Sequence, residues 1–437
     1  MRTPYQQRKD LLEEFRVQRK FYNTNTICTP FPLIEEILDR LPKEVWTNRD
    51  LKWLDPACGR GAFLLAIKNR LLAGIEEKHV VENMLYGADI DAQNVNCARA
   101  LLAQPFDVTV KDKYNTQHIE CCDSLAKDWG KMKFDVVVGN PPYQKGDTGT
   151  NKTVFDEFYY LATSCAKRWI VFIAPTMWLL SKKTTLQRLR DHLFDKGLYA
   201  VFLKDPRVSF GVVLDSLGVT FQDVTQCSST VTVHLLDGTT TTITKMDRVT
   251  VLSSDPSAKS VLTKLTSGST IPAKRARQRS VNRNGGCFNG SVQVEQSSTY
   301  PYRTINKVSG AEIQYVYASK EIDDDINVDR VVFSYLSSNT NLGKIHIIPG
   351  NDKLQLTEAC TYVAVPSLAA GESLRSYLVS RCFRYALQQI RPGTNNSGGI
   401  FQQISCPPLD RIWSDADLYK HFDLTQDEIQ LIERIVK

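Results

Sequence analysis

The stretch Phe134-Asp-Val-Val-Val-Gly-Asn-Pro-Pro-Tyr143 decides how the rest of the chain is read. Its first six residues are largely apolar and rich in β-branched side chains, and a glycine bounds them. That pattern predicts a buried strand running into a tight loop. Pro141 and Pro142 fix the loop backbone and remove two N–H donors, so carbonyl oxygens stay available as acceptors. Asn140 adds a side-chain carbonyl acceptor, and Tyr143 adds a flat ring with a polar tip. Clustered acceptors beside an aromatic face suit a planar substrate that carries an –NH2 group. The same residues also suit a plain strand-to-loop turn, which Asn-Pro marks in many proteins. The stretch alone does not choose.

Upstream, Leu51-Lys-Trp-Leu-Asp55 predicts a strand, Pro56-Ala-Cys-Gly-Arg-Gly61 a turn, and Ala62 the start of a helix. Gly59 and Gly61 permit positive φ and close ligand approach. No Lys-Ser/Thr follows the glycines and no third glycine stands at dinucleotide spacing, so neither phosphate-binding fingerprint is present. The carboxylate of Asp55 beside the turn repels phosphate and favours a cationic ligand, so a small, positively charged adenosine compound fits best. Met84-Leu-Tyr-Gly-Ala-Asp89 ends a second strand in a carboxylate, ahead of a helix over 92–102. Such a residue usually holds ribose hydroxyls in α/β units. Asp89-Ile-Asp91 lacks the Gly and Glu of a calcium loop. Asp123 follows a third strand, where it can accept from an adenine amino group. Each acid alone is as well explained as a helix cap or a solvated loop residue. Three strand-end acids in order, followed by the fourth strand and its Asn-Pro-Pro-Tyr, predict a doubly wound α/β sheet with its ligand at the C-terminal strand ends.

In this order, Asp55-Pro-Ala-Cys-Gly-Arg-Gly-Ala-Phe63, Gly87-Ala-Asp-Ile-Asp91, Asp123 and Asn140-Pro-Pro-Tyr143 resemble the S-adenosylmethionine-dependent N6-adenine DNA methyltransferases. The Thr29-Pro30 loop ahead of the first strand and the large second half resemble the gamma arrangement, the TaqI-like restriction-modification methylases. The resemblance implies a Rossmann-like methyltransferase sheet and S-adenosylmethionine as cofactor. It places Thr29 and Gly59 near the cofactor's methionine part, Asp89 on the ribose and Asp123 on the adenine. Tyr22, Asp55, Ala57, Gly61 and Ile90 complete the implied cofactor set. Asn140, Pro141, Pro142 and Tyr143 are the implied catalytic set, with double-stranded DNA as partner and room for a separate restriction endonuclease. The resemblance covers roughly residues 1–235 and, less fully, the C-terminal tail.

The next elements continue the alternation. Residues 144–153 read as a substrate-closing loop, 154–166 as a helix, 169–174 as a strand, 186–194 as a helix and 199–203 as a strand. Residues 208–221 and 229–235 read as closing antiparallel strands. Near 236 the texture changes, giving expected domains of 1–235 (catalytic) and 236–437 (mixed α+β target recognition with a helical tail). Residues 251–300 hold seven Lys/Arg against two Asp/Glu, on a chain of net charge +6. Within it Lys274, Arg275, Arg277, Arg279 and Arg283, with Arg303 beyond, predict contacts to nucleic-acid phosphates; a solvated basic loop is the alternative. Asp323-Asp324-Asp325 reads as an exposed loop, and 372–389 as one helix. Thr425 with Glu428 reads as a capping box.

The bulk properties narrow the class. The 437 residues, 42% hydrophobic and 23% charged, predict a folded chain of two or three domains. The longest apolar run, 169–180, is broken by Pro175 and too short to span a bilayer, and the first residues lack a signal-peptide core. Eleven cysteines without a Cys-x-x-Cys pair, and six histidines without ligand spacing, predict reduced thiols, a cytoplasmic setting and no metal. Monomer and dimer remain open. So do two rival functions: methylation of RNA or of a protein glutamine amide, which shares the –NH2 chemistry, and a non-catalytic DNA-specificity subunit.

Overall fold

In the computed structural model of the chain, the described residues are 2–19, 28–107, 109–129, 131–145, 152–181, 184–211, 216–246, 252–276, 292–308, 313–321, 323, 325–337, 341–391 and 396–436. Two compact units divide the chain, Met1–Asp247 and Arg248–Lys437.

The first unit is built on a nine-stranded sheet. Its strands are β1 (Trp53–Asp55), β2 (Leu85–Asp89), β3 (Ile119–Cys121), β4 (Phe134–Gly139), β5 (Ala166–Ala174), β6 (Leu198–Lys204), β7 (Leu217–Asp223), β8 (Thr230–His234) and β9 (Thr240–Thr244). Their spatial order is β9-β8-β6-β7-β5-β4-β1-β2-β3. Strands β3, β2, β1, β4 and β5 run parallel. The helices α1 (Pro4–Arg19), α2 (Phe31–Asp39), α3 (Ala62–Leu71) and α4 (Ala92–Ala103) precede or join the early strands, and α5 (Phe155–Cys165) and α6 (Thr184–Asp195) join the later ones. Val136 and Val138 enter one core with Leu64, Ile67, Val95 and Ala98. The intervening Val137 is equally buried outside that cluster. A strand with both faces covered is why 134–139 reads as a continuous apolar run.

From β1 the chain winds outward to β2 and β3, then returns to place β4 on the opposite side of β1. Where the winding reverses, loops leave the C-terminal strand ends in opposite directions and open a crevice. Asp55 ends β1 and Gly139-Asn140 ends β4, so the sheet order itself brings the two signature stretches together.

Some expectations need correction. Val208 belongs to a short helix, α7 (Pro206–Phe210), not a strand. Asp205 caps it, accepting from the Arg207 and Val208 N–H groups, and Gly211 ends it at φ +68°. Of the two expected antiparallel strands, β7 is antiparallel to β5 and β6, but β8 runs parallel to β6 and antiparallel only to β9. Strand β9 lies beyond the texture change at 236 yet still within the first unit's sheet. In α1, Leu12 is buried, while Leu11 and Val17 are exposed.

The second unit carries two four-stranded sheets. One orders Lys274–Arg275, Cys360–Ala364, Arg330–Ser334 and Ile345–Ile348; the other orders Val292–Gln293, Gln314–Ala318, Tyr302–Lys307 and Gln355–Leu356. Helices α8 (Ser257–Leu265), α9 (Leu368–Leu378), α10 (Arg381–Ile390), α11 (Asp415–His421) and α12 (Gln426–Ile435) share a core with the first of these sheets. The single helix expected over 372–389 is two, because Ser380 turns its hydroxyl to the Phe383 N–H and caps a new start. Asp323 and Asp325 are not an exposed loop: Asp323 pairs with the fully buried Arg330 at 2.6 Å, and Asp325 with Lys274 at 2.7 Å; Asp324 lies outside the described residues. The capping box is present, and Glu428 also receives Lys264 Nζ at 2.8 Å and the Ser260 hydroxyl at 2.6 Å. Thr425→Ala is expected to destabilise this unit by about 1 kcal/mol, read as a lower urea midpoint at unchanged slope. Among the described residues no helix is long and apolar enough to cross a membrane.

Candidate active site

The β1 loop is drawn tight by backbone bonds. The Cys58 N–H donates to the Ala88 carbonyl of β2 at 2.9 Å, and the Gly61 N–H to the Cys58 carbonyl at 2.8 Å. Gly61 starts α3 at φ +86°, and a Cβ there would stand 3.0 Å from the Ala98 side chain. Gly59 takes φ +51°. Arg60, between them, turns away and lays its guanidinium over the Phe15 ring of α1 at 3.3 Å.

Asp55 is buried at the floor of the crevice and accepts from the Ala57 N–H at 3.1 Å. Burial pushes its carboxyl up to about 8; the Ala57 N–H opposes this and the nearby Asp89 charge adds to it. The carboxylate lies against β4: a Cβ built on Gly139 would stand 2.5 Å from Asp55 Oδ1. Only glycine at that position lets the acid and the Asn140 loop sit side by side.

Asp89 ties the first two loops together. One oxygen accepts from the Gly59 N–H at 2.9 Å, the other from the Asp91 N–H at 2.9 Å and Asn94 Nδ2 at 3.3 Å. A carboxylate has about four acceptor positions, so its own protein fills most of them. Ile90 beside it is 76% exposed, an apolar surface at the rim. Asp123 accepts from the Leu125 N–H at 3.0 Å, and Ser124 next to it donates its hydroxyl to the Pro56 carbonyl. The loops after β1, β2 and β3 are thus cross-linked into one rim.

At β4, Asn140 Nδ2 donates to Thr29 Oγ1 at 3.1 Å, and Asn140 Oδ1 accepts from the Tyr143 hydroxyl at 2.8 Å. Pro141 is buried and Pro142 exposed. The Tyr143 ring is half-buried against the first unit's core, and burial raises its phenol well above the usual range, so it stays protonated. The Tyr143 carbonyl accepts from Val154. Beyond it, Gln144–Lys145 pairs with Lys152–Thr153 as a small hairpin; residues 146–151, the middle of the expected closing loop, lie outside the described residues. Tyr22 lies outside them too.

The crevice therefore gathers Thr29, Asp55, Gly59, Gly61, Asp89, Asp123 and Asn140–Tyr143 from five separate stretches. Sequence reasoning missed the Thr29–Asn140 bond, because its ends are 111 residues apart. Among the described residues no group of three or more His, Cys, Asp or Glu is arranged to hold a metal.

In the second unit, Lys274 and Arg275 form an exposed short strand. Lys274 pairs with Asp325; Arg275 donates to the Glu358 carbonyl at 2.9 Å and stacks over Tyr335 at 3.8 Å. Arg303 lies over Tyr315 at 3.9 Å. Arg277, Arg279 and Arg283 lie outside the described residues. Lys274, Arg275 and Arg303 thus already carry intramolecular partners.

Residues 83–202 match the Eco57I restriction-modification methylase family. Over 247 residues the chain is 24% identical to an uncharacterized adenine-specific methylase of Mycoplasma pneumoniae, covering 38% of this chain and 58% of that protein. The chain thus spans less than two thirds of that relative's length. Among solved structures, the type IIL restriction-modification enzyme MmeI, determined in complex with DNA, superposes with a TM-score of 0.52 at 12% identity. The match covers 90% of this chain and 65% of that one, a likeness of fold.

Proposed function

We propose that the chain, similar over residues 83–202 to the Eco57I restriction-modification methylases and at 24% identity to an adenine-specific methylase, transfers a methyl group from S-adenosylmethionine to the N6 amine of a flipped adenine in duplex DNA. The observation that carries this reading is the adjacency of Asp55 and Asn140 across the β1/β4 crevice. A buried acid set beside two left-handed glycines fits a ligand carrying an amine better than one carrying phosphate. Asp55 would hold that amine, Asp89 the ribose and Asp123 the adenine. When bound, the cofactor supplies a methyl group on a positively charged sulfur.

The chain's own residues would do the rest. The lone pair of adenine N6 is delocalised into the ring, so the amine is a poor nucleophile. Acceptors on its two hydrogens, Asn140 Oδ1 and the Pro141 carbonyl, favour a pyramidal nitrogen and hold it in line for attack. Positioning and electrostatics supply the rate without a covalent enzyme intermediate. The base reaches such a crevice only by leaving the duplex, and stacking on Tyr143 contributes about 1–3 kcal/mol. The second unit would choose the site, with Lys274, Arg275, Arg277, Arg279, Arg283 and Arg303 as candidate phosphate contacts, and a separate endonuclease would complete a restriction system. Tritium transfer from labelled cofactor to duplex DNA, RNA and protein, followed by sequencing of modified bases, tests this. Label in duplex DNA at N6 of adenine within a fixed motif is expected; label on protein or RNA alone would overturn it.

A further inference from the structure

We infer that Thr29 is a positioning residue for the Asn140 carboxamide, holding that amide in place at the end of β4 for the target amine. The inference rests on the proposed methyl transfer and concerns a role separate from cofactor contact.

The last torsion of Asn is broad and roughly two-fold, so a carboxamide at the end of a strand needs holding if it is to meet a substrate in one place. Among the bonds that hold it, Nδ2 donates to Thr29 Oγ1 at 3.1 Å, and the Tyr143 hydroxyl donates to Oδ1 at 2.8 Å. They differ in one respect. The Tyr143 hydroxyl occupies the oxygen that the target amine must use, so substrate competes with it. Thr29 holds the opposite end, where no substrate group is needed, and its bond is compatible with the working complex.

Thr29 is itself well anchored. It precedes α2, whose Phe31, Leu33, Ile34, Ile37 and Leu38 are buried. The Phe31 N–H donates to Glu13 Oε1 of α1 at 2.8 Å, and Arg16 pairs with the same Glu13 at 2.6 Å. Thr29 thus lies just ahead of a packed helix while its hydroxyl meets the Asn140 loop.

The test compares single-turnover methylation of duplex DNA by wild type, Thr29→Val, Thr29→Ala and Thr29→Ser at saturating cofactor. Cofactor affinity is measured separately by calorimetry. Thr29→Val and Thr29→Ala are expected to slow the step roughly 5–10-fold even at saturating cofactor, the scale of one neutral hydrogen bond, and Thr29→Ser to restore the rate. A wild-type rate in both hydroxyl-free variants would overturn the inference. So would a defect that appears only as weaker cofactor binding, or a Ser variant as slow as the Val one. Absence of any transfer by wild type would remove the underlying reading itself, an outcome visible before any variant is compared.

Discussion

Asn140→Ala is expected to lower methyl-transfer turnover roughly 10²–10³-fold, taking a lost oxyanion-hole donor as the scale. The substitution removes the acceptor at the end of β4, and it releases the Tyr143 hydroxyl and Thr29 from their shared partner. The contacts on the proposed cofactor side, from Ala57 to Asp55 and from Gly59 to Asp89, do not pass through this side chain. The loss should therefore appear in kcat and kcat/KM for DNA alike, the signature of an interaction made in the transition state. Calorimetry with cofactor alone should show parental affinity. Near-normal methylation by this variant would sink the mechanism.

Asp55→Asn is expected to weaken cofactor binding roughly 10–100-fold, the scale of a hydrogen bond to a charged group, while making the ligand-free protein more stable at pH 8. The folded carboxyl sits at about 8 because burial disfavours its charge, whereas an unfolded Asp titrates near 3.9. The folded state therefore holds the proton more tightly. The stability this gives is complete below about pH 4 and is lost as pH rises to about 8, at about 1.4 kcal/mol per pH unit. Asparagine has no such ionisation, so its melting temperature should fall less over that window. Cofactor affinity should move the other way in the parent, rising with pH as the carboxylate forms to meet the amine, and stay flat in the variant. Parallel pH profiles for the two proteins would count against this role for Asp55.

Much of the first unit was legible from residues 51–203, where both sheet faces are covered and strands appear as unbroken apolar runs. The candidate site stood out for a related reason: an acid stands at or just beyond the ends of β1, β2 and β3, so the pattern repeats along the chain. Failures came where information is not local. The direction of β8 depends on its partner β6, about thirty residues away. Signals for α7 did exist, an Asp-Pro start and a Gly stop, but the β-branched Val208 outweighed them. Ser380 splits a helix whose apolar spacing continues across the break, and only its hydroxyl marks the boundary. The pairing of Thr29 with Asn140 leaves no trace in either segment.

Position 139 places a limit on what mutation can explore. With the Asp55 oxygen standing where a Cβ would go, a saturation library at this codon should return glycine alone when selected for methylation. Gly59, which has nothing within 4 Å of its missing Cβ and φ of +51°, should also yield asparagine, a residue that tolerates left-handed backbone. Two neighbouring glycines of one crevice would then differ in evolutionary freedom, one closed by its neighbour's oxygen and the other constrained only by its own backbone.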